Sequence, residues 1–137
     1  MDFSLTPELA TLRDEVRSFI DALVFPREKD VIREDAAGED GALKELQQAA
    51  KQAGLFVPHL PAEYGGRALG ILGMCTLFRE MGRSPLGARA FNCDAPDQGN
   101  MDLLLQKASP ALRERWLRPL ARGDITCLLY TSDAADE

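Results

Sequence analysis

The chain has 137 residues, of which 45% are hydrophobic and 28% are charged, a composition typical of one globular domain rather than of a disordered chain. Sixteen Lys and Arg against 22 Asp and Glu give a net charge of −6, which disfavours nucleic acid and anionic lipid as partners. No stretch approaches the roughly 18 unbroken apolar residues of a membrane span, and the N-terminus has no signal-peptide pattern. We therefore expect no membrane span and a cytoplasmic location, or an organelle lumen if a targeting segment is missing.

Proline and glycine residues divide the chain into predicted helices. Thr6-Pro7 opens the first helix, because the Thr hydroxyl can cap free N–H groups and proline suits the first helical position. This helix is expected to end near Phe25-Pro26, since the residue before proline avoids helical backbone angles. The charge-rich stretch 27–41 is expected to hold no more than a short helix.

The middle of the chain combines two predicted helices with a proline-rich segment. Residues 42–53 predict a second clear helix, ended by Gly54 in the left-handed conformation. Segment 55–61 has a proline at every third position, which forbids helix and predicts an extended segment lying on the core, followed by a turn at 63–66. Between residues 68 and 83 apolar side chains cover nearly the whole helical circumference, which predicts a central helix buried on most sides.

The last third of the chain alternates turn-forming and apolar segments. Residues 92–100 are dense in turn formers, and a helical stripe resumes at Met101. Ser109-Pro110 begins the last predicted helix, and Pro119 predicts a kink or break close to residues 117–118. No segment alternates with the period of a strand, so the predicted fold is all-α, a helical bundle of five to six helices.

Residue types that usually carry chemistry are sparse. The three cysteines, Cys75, Cys93 and Cys127, are odd in number and widely spaced, which gives neither a disulfide framework nor a C-x-x-C motif. The single histidine, His59, has no second metal ligand at usable spacing and no nucleophile signature beside it. We interpret the cysteines as buried or incidental thiols and His59 as a packed or surface side chain, and we predict no metal site.

Glycines and loop carboxylates give only weak site signals. The four glycines between residues 65 and 73 run G-G-x-x-x-G-x-x-G, which is not the G-x-G-x-x-G of a dinucleotide site. Glu63, Asp94 and Asp97 lie in loop-like context, where a carboxylate of raised pKa can act as a base but most cap a helix or face solvent. These residues predict a helical domain without a self-sufficient catalytic apparatus.

Two longer stretches carry a family resemblance. Residues 54–66 read GLFVPHLPAEYGG, and residues 92–101 read NCDAPDQGNM before RWLRPLARG at 115–123. Together they resemble the N-terminal helical domain of acyl-CoA dehydrogenases, and the resemblance covers residues 1–126. The APDQGNM string is most similar to the subfamily whose animal members can carry an added kinase-like domain.

The resemblance implies a larger flavoenzyme. In that family a middle β domain and a C-terminal helical domain complete the subunit and hold FAD between them with help from a neighbouring subunit, so a homo-oligomer is implied. The implied reaction is the α,β-dehydrogenation of an acyl-CoA thioester, an oxidoreductase step of fatty acid metabolism, with electron-transferring flavoprotein as acceptor. The family's catalytic base is a glutamate of the C-terminal domain. We therefore expect no catalytic and no cofactor-binding residue here, no FAD retained, and no activity from this chain alone.

The resemblance also implies a role for the N-terminal domain, which in relatives walls off the acyl-chain pocket and helps to exclude water from the flavin. By position, Asp94, Gln98 and Met101 are the implied substrate-binding residues of that wall, with ordinary turn and core roles as the alternative. Residues 127–137 depart from the family pattern, because relatives continue there into a strand of the flavin-binding domain. We expect these residues to be a non-family tail produced by truncation.

Two other functions stay open on the sequence. One is a fragment of a related acyl-CoA oxidase or flavin monooxygenase, which dioxygen would reoxidise. The other is a stand-alone helical module that binds a protein partner or an acyl chain through the face that further domains would cover. An apolar helix over 68–83 left partly exposed would favour self-association, which distinguishes a fragment from an independent module.

Overall fold

The chain folds into a bundle of helices joined by short turns. The computed structural model describes residues 4–127, and every regular element within that range is helical. The α-helices are α1 (Pro7–Phe19), α2 (Phe25–Ala37), α3 (Gly41–Gln52), α4 (Ile71–Met81), α5 (Gly87–Ala90), α6 (Asp97–Lys107), α7 (Pro110–Leu112) and α8 (Arg118–Ala121). Two π-helical turns (Ile20–Val24 and Arg113–Leu117) and a 3₁₀ turn (Ala62–Tyr64) accompany them. The predicted all-α class is confirmed, and no helix in the described range is long and apolar enough to cross a membrane.

The first helix begins where the sequence predicts but does not end there. Thr6 caps α1, because its hydroxyl oxygen accepts a hydrogen bond from the Leu9 N–H at 3.3 Å. The predicted end near Phe25-Pro26 is wrong, since a π-helical turn joins α1 to α2 without a break. In that turn the Phe25 N–H bonds the Ile20 carbonyl. The wider turn accommodates Pro26, which has no N–H to donate and whose ring clashes with the carbonyl of an ordinary α-helical turn.

Helix α2 is longer than the short helix expected in the charged stretch 27–41. It runs to Ala37 and ends at Gly38, whose φ of 73° is left-handed. Val31 is the buried residue of this helix, so contacts with other elements supply the order that its apolar pattern lacks. These contacts join Arg27 to Glu45 at 2.7 Å, Glu28 to Ser84 at 2.6 Å and Asp35 to Arg89 at 2.6 Å.

Segment 55–61 lies on the core, as predicted, but it is turned rather than extended. Val57 adopts a φ of 43°, and its N–H bonds the Phe91 carbonyl at 2.9 Å. The turn that follows packs its backbone directly on this segment. A Cβ at Gly66 would clash with the carbonyl oxygens of Val57 and Leu60, so only glycine allows this approach.

Of the two helices predicted for the middle of the chain, the first is confirmed and the second is less buried than expected. Helix α3 matches the predicted segment 42–53, and Gly54 ends it with a φ of 66°. Helix α4 is shorter than the predicted 68–83 and buries one face, which packs on α1 and α5. Ile71 is 86% exposed and Leu72 is 48% exposed, because no element within residues 4–127 covers that side of the helix.

The C-terminal third departs from prediction at two helix boundaries. The turn-forming stretch 92–100 is only partly a turn, because α6 already begins at Asp97. A carboxylate in the first turn of a helix is stabilised by the positive end of the helix dipole. Of the kink or break predicted close to residues 117–118, the break is wrong, because a second π-helical turn continues the helix to Pro119. In that turn the Arg118 N–H bonds the Arg113 carbonyl.

One core joins almost all of these elements. The rings of Phe19 and Phe91 meet with their centroids 5.0 Å apart and their planes inclined at 53°. The largest fully buried side chains come from separate segments and include Phe91, Ile20, Leu60, Leu77, Met101 and Leu120. Because Phe91 lies in this core, the turn that follows it is anchored to the bundle.

Candidate functional site

The turn between α5 and α6 is held from beneath by a buried side chain. Asn92 is 6% exposed, and its side-chain amide donates a hydrogen bond to the Leu120 carbonyl at 2.9 Å. Its φ of 54° lies in a region that Asn enters more readily than most residues. Since Leu120 belongs to α8, this bond fixes the start of the turn against the C-terminal helix.

Two of the three predicted site residues meet at the outer end of this turn. The Asp94 carbonyl accepts a hydrogen bond from the Gln98 N–H at 3.0 Å, with Asp94 exposed and Gln98 half-buried. Met101 lies one turn further along α6 and is completely buried. The structure therefore brings Asp94 and Gln98 together at the surface and places Met101 in the core.

A groove of about 370 Å³ separates this turn from α3 and from the exit segment, which we define as residues 123–127. The ionisable residues that line it are four carboxylates and two cations, Asp40, Asp94, Asp97, Asp124, Lys44 and Arg89. Lys44 pairs with Asp40 at 2.7 Å, and Arg89 pairs with Asp35 at 2.6 Å. The hydrogen bonds from Arg89 hold the pKa of the Asp35 carboxyl below its ordinary value. The groove is therefore acidic, and its cations are already paired.

Asp97 joins the exit segment to the first turn of α6. Its two carboxylate oxygens accept hydrogen bonds from the Thr126 hydroxyl at 2.8 Å and from the Cys127 backbone N–H at 2.6 Å. The sequence indicates only a loop carboxylate that caps a helix or faces solvent. The sequence gives no signal for these two hydrogen bonds, because Thr126 and Cys127 are far from Asp97 in the chain and the Cys127 donor is a backbone group.

The histidine and one cysteine form a part-buried contact. The Cys93 sulfur lies 3.8 Å from Nδ1 of His59, and Nε2 of His59 is buried without a hydrogen-bond partner in the described structure. Burial raises the pKa of the Cys93 thiol and lowers the pKa of the His59 imidazole. Both groups are therefore held neutral, which disfavours a reactive thiolate. No three His, Cys, Asp or Glu side chains converge as a metal site within residues 4–127.

Glu63 takes part in the structure through its backbone. Its carbonyl accepts a hydrogen bond from Arg118 at 3.2 Å, and the Arg118 guanidinium lies over the Tyr64 ring, 5.2 Å from its centroid. Arg118 also binds both carboxylate oxygens of Glu114 at 2.7 Å. Arg118 therefore fastens the C-terminal helix to the turn after segment 55–61.

Comparison with known proteins identifies the class to which this helical domain belongs. The family model for the N-terminal domain of acyl-CoA dehydrogenases matches residues 6–124. The Rattus norvegicus protein named acyl-CoA dehydrogenase family member 11 is 35% identical over 126 residues, which cover 86% of this chain and 16% of that protein. The Mycobacterium tuberculosis protein named probable acyl-CoA dehydrogenase FadE2 is 34% identical over 142 residues, which cover 98% of this chain and 34% of that protein.

A solved structure agrees with these relatives. The Mycobacterium abscessus structure that carries the name acyl-CoA dehydrogenase matches with a TM-score of 0.78 at 35% identity, covering 89% of this chain and 33% of that one. The chain therefore belongs to the acyl-CoA dehydrogenase family and is its N-terminal helical domain. It spans between 16% and 34% of the length of these relatives.

Proposed function

We propose that this domain forms one wall of the acyl-chain pocket in a flavin-dependent acyl-CoA dehydrogenase. The reaction of that parent enzyme is the α,β-dehydrogenation of an acyl-CoA thioester, an oxidoreductase step of fatty acid metabolism. The observation that carries the proposal is the turn that exposes Asp94 next to Gln98 of α6, beside the exit segment, in a chain of this family.

In this proposal Asp94 and Gln98 form the polar edge of the wall, and Met101 supports it from behind. Met101 is 0% exposed, so its side chain packs inside the domain and holds the first turns of α6 rigid. A close-packed wall excludes water from the space that it borders. This exclusion strengthens the stabilisation of charge that develops on a thioester during reaction.

FAD is expected in the remainder of the full-length parent, because the described residues of this chain do not fit it. In the groove beside Asp94, Lys44 and Arg89 are already paired with carboxylates, and the carboxylates of Asp94 and Asp97 would face the diphosphate of FAD. Two of the four glycines between residues 65 and 73 are used in packing, since Gly73 lies inside α4 and Gly66 packs on segment 55–61. When bound in the parent, FAD supplies the hydride acceptor.

The catalytic base is likewise expected outside this domain. A C–H beside a thioester is a weak acid, so its removal needs a positioned base together with donors that polarise the carbonyl. His59 and Cys93 form a part-buried neutral pair, and the carboxylate of Asp97 binds the exit segment. We infer that this chain is inactive alone. For the full-length parent enzyme we propose acyl-CoA as substrate and electron-transferring flavoprotein as electron acceptor. We also propose that the parent assembles as a homo-oligomer and is cytoplasmic.

The proposal assigns residues 1–126 to the family domain and residues 127–137 to a non-family tail. The match to the family model ends at residue 124, close to this boundary, whereas the match to the Mycobacterium tuberculosis protein covers 98% of the chain. Residues 128–137 lie outside the described residues. Recovery of a longer genomic reading frame that lacks the sequence 127–137 would support it further. An intact stop codon directly after Glu137 in the genome would contradict it.

The first experiment measures FAD retention and acyl-CoA oxidation by the purified 137-residue chain. The visible absorbance of flavin after gel filtration and reduction of an artificial electron acceptor should both be at background.

The second experiment titrates the isotope-labelled chain with octanoyl-CoA and follows the NMR chemical shifts of backbone amides. Changes in the amide shifts at Asp94 and Gln98, and the loss of these changes in the double variant Asp94→Ala and Gln98→Ala, would support the proposed wall of the acyl-chain pocket. Turnover by the chain alone, or binding confined to other surfaces, overturns the proposal.

A stand-alone binding module is the second candidate function. It is favoured by the self-contained core, in which Leu77, Phe91 and Met101 each reach 0% exposure without any further domain. An independent module should be a monodisperse, stable monomer across a wide range of concentration. Concentration-dependent oligomers would instead favour a domain that is covered by the rest of a longer protein.

A further inference from the structure

We propose that Asp97 is a positioning residue, which fixes the exit segment on the first turn of α6. Through this contact it holds residues 126 and 127 beside the turn that carries Asp94. The inference rests on the proposed function, since the acyl-pocket wall is what the contact positions.

The donors at this contact require a carboxylate. The Thr126 hydroxyl reaches one oxygen of Asp97 at 2.8 Å, and the Cys127 N–H reaches the other at 2.6 Å. An ionised carboxylate offers two acceptor oxygens and no donor, whereas an amide offers one of each.

The position of Asp97 stabilises its charge, although no cation within residues 4–127 pairs with it. It is the first residue of α6, where free backbone N–H groups and the helix dipole favour an anion. The same carboxylate can therefore serve the helix and the exit segment together.

The exit segment is held at its other end by α8. The Gly123 N–H bonds the Leu120 carbonyl at 2.9 Å, and the Asp124 N–H bonds the Pro119 carbonyl at 3.0 Å. Leu120 also accepts the hydrogen bond from Asn92, which begins the turn carrying Asp94. Asn92 of the turn and Gly123 of the exit segment therefore both donate hydrogen bonds to the Leu120 carbonyl. Asp97 binds the other end of the exit segment.

The test measures hydrogen exchange of individual backbone amides in the full 137-residue chain. The Cys127 amide reports the contact, and the Met101 amide reports the integrity of α6. Asp97→Ala removes both acceptors, Asp97→Asn keeps one oxygen, and Thr126→Val removes one donor while leaving Asp97 in place. Asp94→Asn is the matched control, because Asp94 lines the same groove and its carboxylate accepts no hydrogen bond from the described residues.

The expected result is graded and local. Asp97→Ala should lower the protection of the Cys127 amide by about 10-fold to 100-fold, as for loss of a hydrogen bond to a charged group, and Asp97→Asn should lower it less. Thr126→Val should cause a smaller loss, Asp94→Asn none, and Met101 protection should persist throughout. If Asp97→Ala does not fold, Thr126→Val decides.

Several results would overturn the inference. The first is a Cys127 amide that is unprotected in the unsubstituted 137-residue chain, and the second is unchanged Cys127 protection in Asp97→Ala. The third is an equal loss of protection at Cys127 and Met101, which would indicate general destabilisation. If Asp97→Ala fails to fold, unchanged Cys127 protection in Thr126→Val has the same force. The measurement contains no acyl-CoA, so a failed octanoyl-CoA titration would count against the proposed function and leave this contact standing.

Discussion

Arg17 on α1 binds the carboxylate of Glu80 on α4 through two hydrogen bonds, from Nε at 3.0 Å and from a terminal nitrogen at 2.8 Å. Glu80 is 2% exposed, whereas half of the Arg17 side chain is exposed to solvent. The hydrogen bonds from Arg17 hold the pKa of Glu80 below its ordinary value. The pair therefore connects α1 to α4 with a buried, charged carboxylate.

Arg17→Met is expected to destabilise the domain at neutral pH. The substitution leaves Glu80 buried beside Arg83, whose nearest nitrogen is 3.6 Å away. Because folding lowers the pKa of Glu80, the contribution of the pair is complete above the ordinary value of 4.5 and is lost as pH falls through the folded value. Urea unfolding should therefore show a large difference between variant and parent at neutral pH and a small one in acid.

The matched control for this variant is Arg33→Met. Arg33 pairs with Asp30 at 3.1 Å on the exposed side of α2, where an ion pair contributes little. A stability deficit of Arg17→Met that does not change with pH would contradict the assignment to the ion pair.

His59 makes a second pH dependence testable. Burial lowers its pKa from the ordinary 6.5, so the unfolded chain takes up a proton at a higher pH than the folded chain does. Stability is therefore full above about pH 6.5 and should fall as the solution is made more acidic. His59→Gln should flatten the dependence of the unfolding free energy between about pH 7.5 and pH 5.5. An unchanged slope in the variant would show that another group is responsible.

Gly66 should not tolerate a side chain. Gly66→Ala places a Cβ against the carbonyl oxygens of Val57 and Leu60, which are backbone atoms that cannot rotate away. We expect a loss of about 3 kcal/mol or more, measured by thermal or urea unfolding. Gly99→Ala is the control, because a Cβ there meets no atom within 4 Å and Gly99 lies inside α6. It should stabilise the domain by about 0.5 to 1 kcal/mol.

The exposed end of α4 should cause self-association of the isolated chain. Ile71 and Leu72 are 86% and 48% exposed, next to a groove that Leu9 and Leu69 also line. Replacing both with Asp should shift sedimentation velocity profiles toward monomer, because burial of these side chains between copies would cease to be favourable. Ile32→Asp, at a 54% exposed position on α2, should leave association unchanged. A parent chain that stays monomeric at all concentrations would refute the prediction.

Much of the helical framework could be predicted because its signals are local. The Thr6 cap and the left-handed Gly54 each depend on a few neighbouring residues. The helix breaks predicted at two prolines are wrong, since Pro26 and Pro119 follow π-helical turns and the helix continues through them. A π-helical turn shifts the backbone hydrogen-bond partner by one residue, and the spacing of apolar residues in the sequence does not reveal this shift.

The candidate site was only partly predictable. Chain spacing by itself brings Asp94 next to Gln98 at the start of a helix. Whether a residue on α6 faces the surface or the core depends on which other helices pack there, and this places Met101 inside.

Short-range patterns in the amino-acid sequence were enough to predict the all-helical class, the start of α1, both ends of α3 and the family resemblance. Only the tertiary structure decided that Glu80 is buried with Arg17, that Ile71 is exposed, and that Asp97 holds the exit segment. These features join groups that are distant in the chain, so the free energy of packing the whole bundle selects them.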